Sequence, residues 1–169
     1  MIPTLTTDRL TLRVPMLEDF PVFEAYLRSD RSQYVGGPIT DRATISHALG
    51  HVTGLWILRG YSSFTACLHD GTVIGMFGPW YPMTWPEPEF GWSLWDQRFE
   101  GEGYVTEAMR VLIPWTWQRT DLKTVVAHIH PDNAASMRVA ERLGATVDPA
   151  AQPPNDKPTV TYRFMADAS

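Results

Sequence analysis

Arg98-Phe99-Glu100-Gly101-Glu102-Gly103-Tyr104-Val105-Thr106-Glu107-Ala108 joins a strand-like segment, Phe90 to Trp95, to a helix-like one running from Gly103 to about Trp117. The join reads Arg-x-x-Gly-x-Gly. Glycines there let backbone N–H groups approach a ligand closely, and the helix start behind them carries partial positive charge. Phosphate is the ligand such a place favours, and Arg98 adds a planar, fork-shaped cation. The run lacks the G-x-G-x-x-G dinucleotide fingerprint, and no Gly-Lys-Ser/Thr follows as in a triphosphate loop. Alone, glycines before a helix are equally well turn chemistry, so the segments on either side must decide.

Upstream, Arg9 to Val14 alternates polar and apolar as a half-buried strand does, and Pro15 ends it. Leu17, Phe20, Phe23 and Leu27 then fall on one helix face, with Pro21 tolerable only in the first turn. Ser29 to Thr40, with Gly36-Gly37-Pro38, reads as a loop. Asp41 caps a second amphipathic helix carrying Ile45, Leu49, Val52 and Trp56. Tyr61 to Leu68 and Thr72 to Trp80 flank Asp70-Gly71, a hairpin signal. Downstream, Tyr104, Ala108, Leu112 and Trp115 share one face of the helix after the glycines, which Pro114 should kink or shorten. Val125 to Ile129 is a buried-type strand. Asn133 to Leu143 is a helix with Asn133 as N-cap and Gly144 just past its end. Lys157 to Met165 closes the chain as a strand. The order is β-α-α-β-β-β-α-β-α-β. The class is α/β (α+β), with a mixed, mostly antiparallel central sheet flanked by helices. A ligand belongs at the C-terminal end of the strand before the glycine run, where the sheet opens.

The composition fits one globular domain over residues 1–169, with a core of about 7–165: 44% of residues are hydrophobic and 20% charged. A net charge of -5 argues against nucleic acid as partner and suits a cationic acceptor such as an amine. The lone Cys67 lies in an apparent strand and reads as a buried small hydrophobe. With no internal disulfide, no basic and apolar leader and no long apolar run, a cytoplasmic protein without membrane contact is expected. His128 and His130 alternate onto one strand face without further ligands. No metal is expected, with His128 in the sheet and His130 in the following turn.

Four features, in order, resemble the GNAT superfamily of N-acetyltransferases and its RimJ/RimL branch, which acetylates ribosomal-protein N-termini. Arg98-x-x-Gly101-x-Gly103 looks like the family's acetyl-CoA pyrophosphate loop. Gly103-Tyr104-Val105-Thr106-Glu107-Ala108 is close to the branch's Gly-Tyr-Ala-Thr-Glu-Ala. Asn133-Ala134-Ala135-Ser136 with Glu141-Arg142-Leu143-Gly144 is similar to its Asn-x-x-Ser and Glu-Lys-x-Gly-Phe ending. Thr7-Asp8-Arg9-Leu10-Thr11-Leu12-Arg13 is similar to its Thr-x-Arg-Leu-x-Leu-Arg start.

The resemblance implies direct transfer of acetyl from acetyl-CoA to a primary amine, either a protein N-terminus or a small amine. It implies cofactor contacts at Trp92, Ser93 and Leu94 along the pantetheine arm. Arg98, Gly101, Glu102, Gly103, Tyr104, Val105 and Thr106 would lie around the pyrophosphate, and Asn133 and Ser136 beside the arm and the sulfur. Glu89 is read as the base that takes the amine's proton, with Glu87 as the second candidate, and Ser136 as the group serving the leaving thiolate. A bland reading stands beside each: Glu89 a solvated strand-end charge, Asn133 and Ser136 an ordinary helix start. Glu100 and Glu102 depart from the branch, which commonly has Lys or Arg at one of these places. Acids beside a pyrophosphate must point away or weaken binding. Acceptor recognition is expected from Tyr34 to Pro38 and Trp80 to Trp85. Two alternatives share the fold: a non-catalytic acyl-CoA-binding module, and a transferase using a longer acyl donor. A homodimer is compatible with the sequence.

Overall fold

The computed structural model describes residues 3–166. Its strands and helices follow the expected order, with short additions: β1 (Leu5–Thr6), β2 (Leu10–Arg13), α1 (Phe20–Arg28), α2 (Arg42–Leu58), β3 (Phe64–Leu68), β4 (Val73–Trp80), β5 (Glu89–Leu94), α3 (Tyr104–Arg119), β6 (Thr124–Ile129), α4 (Ala134–Arg142), β7 (Thr146–Val147) and β8 (Val160–Met165). The strands form one sheet in the order β1-β2-β3-β4-β5-β6-β8-β7. Every neighbouring pair is antiparallel except β5–β6. β1 and β7 are two-residue edge strands that carry no alternating pattern long enough to read from sequence.

The sheet buries both faces. Met76 on β4 packs with Phe23, Tyr26 and Leu27 of α1 and with Ile45, Leu49 and Val52 of α2. Its neighbour Phe77 turns the other way, into a cluster with Val105, Met109 and Leu112 of α3 and Ala140 of α4. Side chains alternating across a strand make this layering. A side chain at Gly75 would collide with the Ser93 carbonyl, so β4 and β5 approach closely where β5 ends.

Local chemistry explains the helix boundaries. Pro21 sits in the first turn of α1, where its missing N–H has no partner to lose. The Asp41 carboxylate accepts from Thr44 N at 2.8 Å and caps α2. Pro114 does not shorten α3, which continues to Arg119. Pro114 and Arg110, whose carbonyl loses its helical partner, both face solvent, so water can satisfy that group. Two residues on, Thr116 returns to the buried side. The segment expected as a loop after α1 contains a 3-10 turn, Asp30–Val35.

Asp19, 1% exposed, joins three elements. It accepts two hydrogen bonds from Arg13 (2.8 and 2.6 Å), one from Met16 N (2.9 Å) and one from Thr65 Oγ1 (2.9 Å). Burial raises its pKa, but these bonds outweigh burial and hold it below the ordinary value.

Candidate active site

The parallel ladder between β5 and β6 contains a single matched pair, Glu89 with Val126, secured by Val126 N donating to Pro88 O at 3.0 Å. Beyond that pair the two strands diverge. β4 stays paired with β5 along its full length, so the edge of β5 from Phe90 to Leu94 faces the opening with main-chain groups that β6 does not engage. The opening follows from topology: among the described strands only these two run parallel, and each leads into a helix at its C-terminal end.

Glu89 stands at the apex. Its carboxylate accepts from Trp85 Nε1 at 2.8 Å and from the main-chain N of His128 at 3.3 Å. The side chain thus takes the place of the strand carbonyl that His128 would meet in a continued ladder. Glu89 keeps part of its surface open, yet its carboxylate is hemmed in by protein. Burial pushes its pKa from the ordinary 4.5 up to about 7, although the Trp85 and His128 bonds pull the other way. No ion pair of Glu89 exists among the described residues. A carboxylate poised near neutrality, with no cation to hold it charged, can take and return a proton. The solvated strand-end reading of Glu89 does not fit this setting. Glu87, the second candidate, has both oxygens on Arg163 (2.8 and 3.0 Å), which also pairs with Asp148 at 2.5 Å. That carboxylate is committed to a structural network on β8.

Trp92 and Ser136 meet across the opening. Trp92 Nε1, on β5, donates to Ser136 Oγ, on α4, at 3.2 Å. An indole N–H only donates, so the hydroxyl receives at its oxygen and keeps its own proton for another acceptor. The Asn133 side chain caps α4 by accepting from Ser136 N at 3.3 Å, which fixes the Ser136 backbone.

The glycine run forms a donor cradle. Gly101 (φ 76°) and Gly103 (φ 81°) are both left-handed, a conformation that glycine adopts without steric penalty. α3 begins with no side-chain cap, unlike α2 and α4. The amides of Tyr104, Val105 and Thr106 therefore point outward, ready for an anion. Glu107, in that first turn, does not compete. Its carboxylate accepts from Thr7 Oγ1 (2.5 Å), Arg9 N (2.9 Å) and Arg9 Nε (2.6 Å), which pins α3 to the start of β2. Arg98 stands at the rim, 76% exposed, with Nε and Nη2 each 2.8 Å from Asp96. Glu100 turns away to pair with Arg31 at 2.9 Å, and Glu102 is exposed.

A family model described as an acetyltransferase (GNAT) domain matches residues 9–146. The chain belongs to the GNAT family. It is an acyltransferase. Over 98% of its length it is 36% identical to an acetyltransferase from Agrobacterium tumefaciens, covering 96% of that chain with a TM-score of 0.91. The same fold recurs, at 23% identity and a TM-score of 0.76, in RimL, the ribosomal L7/L12 alpha-N-protein acetyltransferase solved with coenzyme A. There 99% of each chain is covered. It recurs again in a ribosomal-protein-S5-alanine acetyltransferase from Vibrio fischeri: 16% identity, TM-score 0.72, 98% of this chain and 97% of that one.

Within this GNAT frame, the residues singled out from sequence divide. Glu89, Trp92 and Ser136 converge on the opening, and Gly101 to Thr106 form one cradle at its rim. The hydroxyl of Ser93 does not join them: it accepts from Trp95 Nε1 at 3.2 Å, on the α1 side of β5. Three features escaped the sequence: the Trp85 bond to Glu89, the Trp92 bond to Ser136, and Arg31, which donates to the Leu94 carbonyl at 3.1 Å. Trp85 carried a weak signal as part of an aromatic, Pro-rich loop; Arg31 carried none. His128 lies in β6 and His130 follows it, stacked on Tyr34 at 5.2 Å. Among the described residues no three potential ligands gather for a metal. No helix there is long and apolar enough to cross a membrane.

Proposed function

We propose that this chain is a single N-acetyltransferase domain over residues 1–169 that moves the acetyl group of acetyl-CoA directly to a primary amine, a protein N-terminus or a small amine. The observation that carries the reading is Glu89, a carboxyl with a pKa near neutrality at the apex of the β5–β6 opening. The outward amides at the start of α3 would hold the pyrophosphate with Arg98 beside them. The edge of β5 from Trp92 to Leu94, where only the Leu94 carbonyl is already taken by Arg31, would bond the pantetheine arm through its other main-chain groups, and an amide there would polarise the thioester carbonyl. Bound acetyl-CoA supplies the activated acyl group. Glu89 takes a proton from the acceptor ammonium, directly or through one water. The neutral nitrogen then forms the new C–N bond as the C–S bond breaks; the second proton this nitrogen sheds passes to the departing thiolate, which leaves as the free thiol, and Glu89 returns its own proton to solvent. Ser136 directs its free O–H at the departing sulfur.

Thiol release from acetyl-CoA, measured across peptide N-termini, amino acids, polyamines and drug-like amines, tests the reading. Turnover with at least one class is expected, together with a rise in melting temperature on adding acetyl-CoA. Binding without thiol release for every class would instead favour a non-catalytic acyl-CoA module. No binding at all would remove acetyl-CoA as the donor.

A further inference from the structure

The 3-10 turn Asp30–Val35 reaches the ends of both strands that diverge at the opening. At its start, the Arg31 guanidinium donates to the carbonyl of Leu94, the last residue of β5. The same group pairs with Glu100 in the glycine run at 2.9 Å. One turn later, Tyr34 stacks on His130, the first residue past β6, at 5.2 Å and 29°. Residues three apart in a 3-10 turn lie one above the other, so Arg31 and Tyr34 reach out from one side. The turn has a firm base. Ser32 is fully buried, and its hydroxyl is within hydrogen-bonding distance of the Leu27 and Ser29 carbonyls (3.0 and 2.8 Å). Gly37 packs on Ser32 with no room for a side chain. The Nε of Arg31 is itself buried, so the guanidinium is packed into place rather than free in solvent.

We infer that Arg31 is a positioning residue. With Tyr34 it braces the two diverging strands, and it neutralises Glu100 so that an acid is tolerated in the loop that meets the cofactor's phosphates. The inference rests on acetyl-CoA being the ligand of that loop. It accounts for a departure that the sequence left open, since Glu100 without a partner would repel a pyrophosphate. It also gives the segment between α1 and α2, on the acceptor side, a direct mechanical link to the cofactor loop.

The test is a charge cycle read by binding and turnover separately. Acetyl-CoA affinity is measured by calorimetry for the wild type, Arg31→Ala, Glu100→Gln and the double variant. Arg31→Ala should weaken affinity about fivefold, the scale of a partly exposed charge pair. The loss should shrink in about 1 M salt, where screening is short-ranged. Glu100→Gln alone should not weaken binding. In the Arg31→Ala background it should restore affinity but leave turnover low, because the bond to Leu94 stays lost. Tyr34→Leu should lower kcat with affinity unchanged, an effect that general destabilisation would not confine to turnover. Arg31→Lys, a milder change, should keep affinity and lower kcat. Wild-type affinity in Arg31→Ala, or a loss that Glu100→Gln does not repair, overturns the inference while leaving the acetyltransferase reading intact. A wild type that binds no acetyl-CoA overturns both.

Discussion

Replacing Glu89 by Gln tests the proton-transfer reading and its energetics together. The folded chain holds the Glu89 proton more tightly than an unfolded chain would, because the pKa stands near 7 rather than 4.5. That contribution to stability is complete below about pH 4.5 and is lost as pH rises through 7. At about 1.4 kcal/mol per pKa unit, the wild type gives up about 3 kcal/mol across this window. Gln does not titrate and loses nothing there. Gln has its own penalty, however. Two donors, Trp85 Nε1 and the His128 amide, meet the carboxylate, and an amide offers only one oxygen to them. The clash of donors costs about 1–3 kcal/mol at every pH. Glu89→Gln is therefore expected to be less stable than the wild type near pH 5, and equal to it or up to about 2 kcal/mol more stable near pH 8. At roughly 2–4 °C per kcal/mol for a chain of this size, the difference in melting temperature should move by about 5 °C or more between those two pH values, over which the wild type gives up about 2.5 kcal/mol. Turnover should fall by about 100-fold or more, the scale of a lost general base. The rising limb of kcat/KM against pH, centred near 7 in the wild type, should vanish apart from the acceptor's own titration. A melting-temperature difference independent of pH, together with an unchanged limb, would refute both the raised pKa and the role as base.

Three further outcomes follow from named contacts. Gly101→Ala places a Cβ at φ 76° in open space, so the cost is conformational: about 1–2 kcal/mol in denaturant unfolding, with a smaller thermal shift on adding acetyl-CoA. Ser136→Ala leaves the Trp92 indole unpaired, which should cost about 1 kcal/mol. In steady-state assays kcat should fall while acetyl-CoA affinity is kept; an unchanged kcat would reduce Ser136 to part of a helix cap. Asp19→Ala strands Arg13 beside the core and should destabilise by about 3–5 kcal/mol by urea unfolding, without moving the pH limb assigned to Glu89.

Much of the fold was legible because its signals are local. Asp41 and Asn133 cap the helices they were expected to cap. Asp70-Gly71 turns the hairpin between β3 and β4, with Gly71 at φ 92°. The misreadings have equally local causes. Pro114 is a breaker by type, but its exposed face lets the helix continue. β1 and β7 are too short to show a period and owe their assignment to longer partners.

The site divides on the same line. By itself the sequence determined the helix start with its glycines, the Asn-x-x-Ser of α4 and the acidic residue opening β5, since each depends on residue types a few positions apart. Only the tertiary structure gives Glu89 and Glu87 different surroundings. Two residues separate them, but burial at the apex lifts one carboxyl toward neutrality while Arg163, 76 positions further along the chain, binds the other. It also decided what becomes of Glu100, whose partner Arg31 comes from the turn between α1 and α2. Protonation and charge pairing depend on what lies within a few ångströms in space, and here those neighbours come from segments that folding alone brings together.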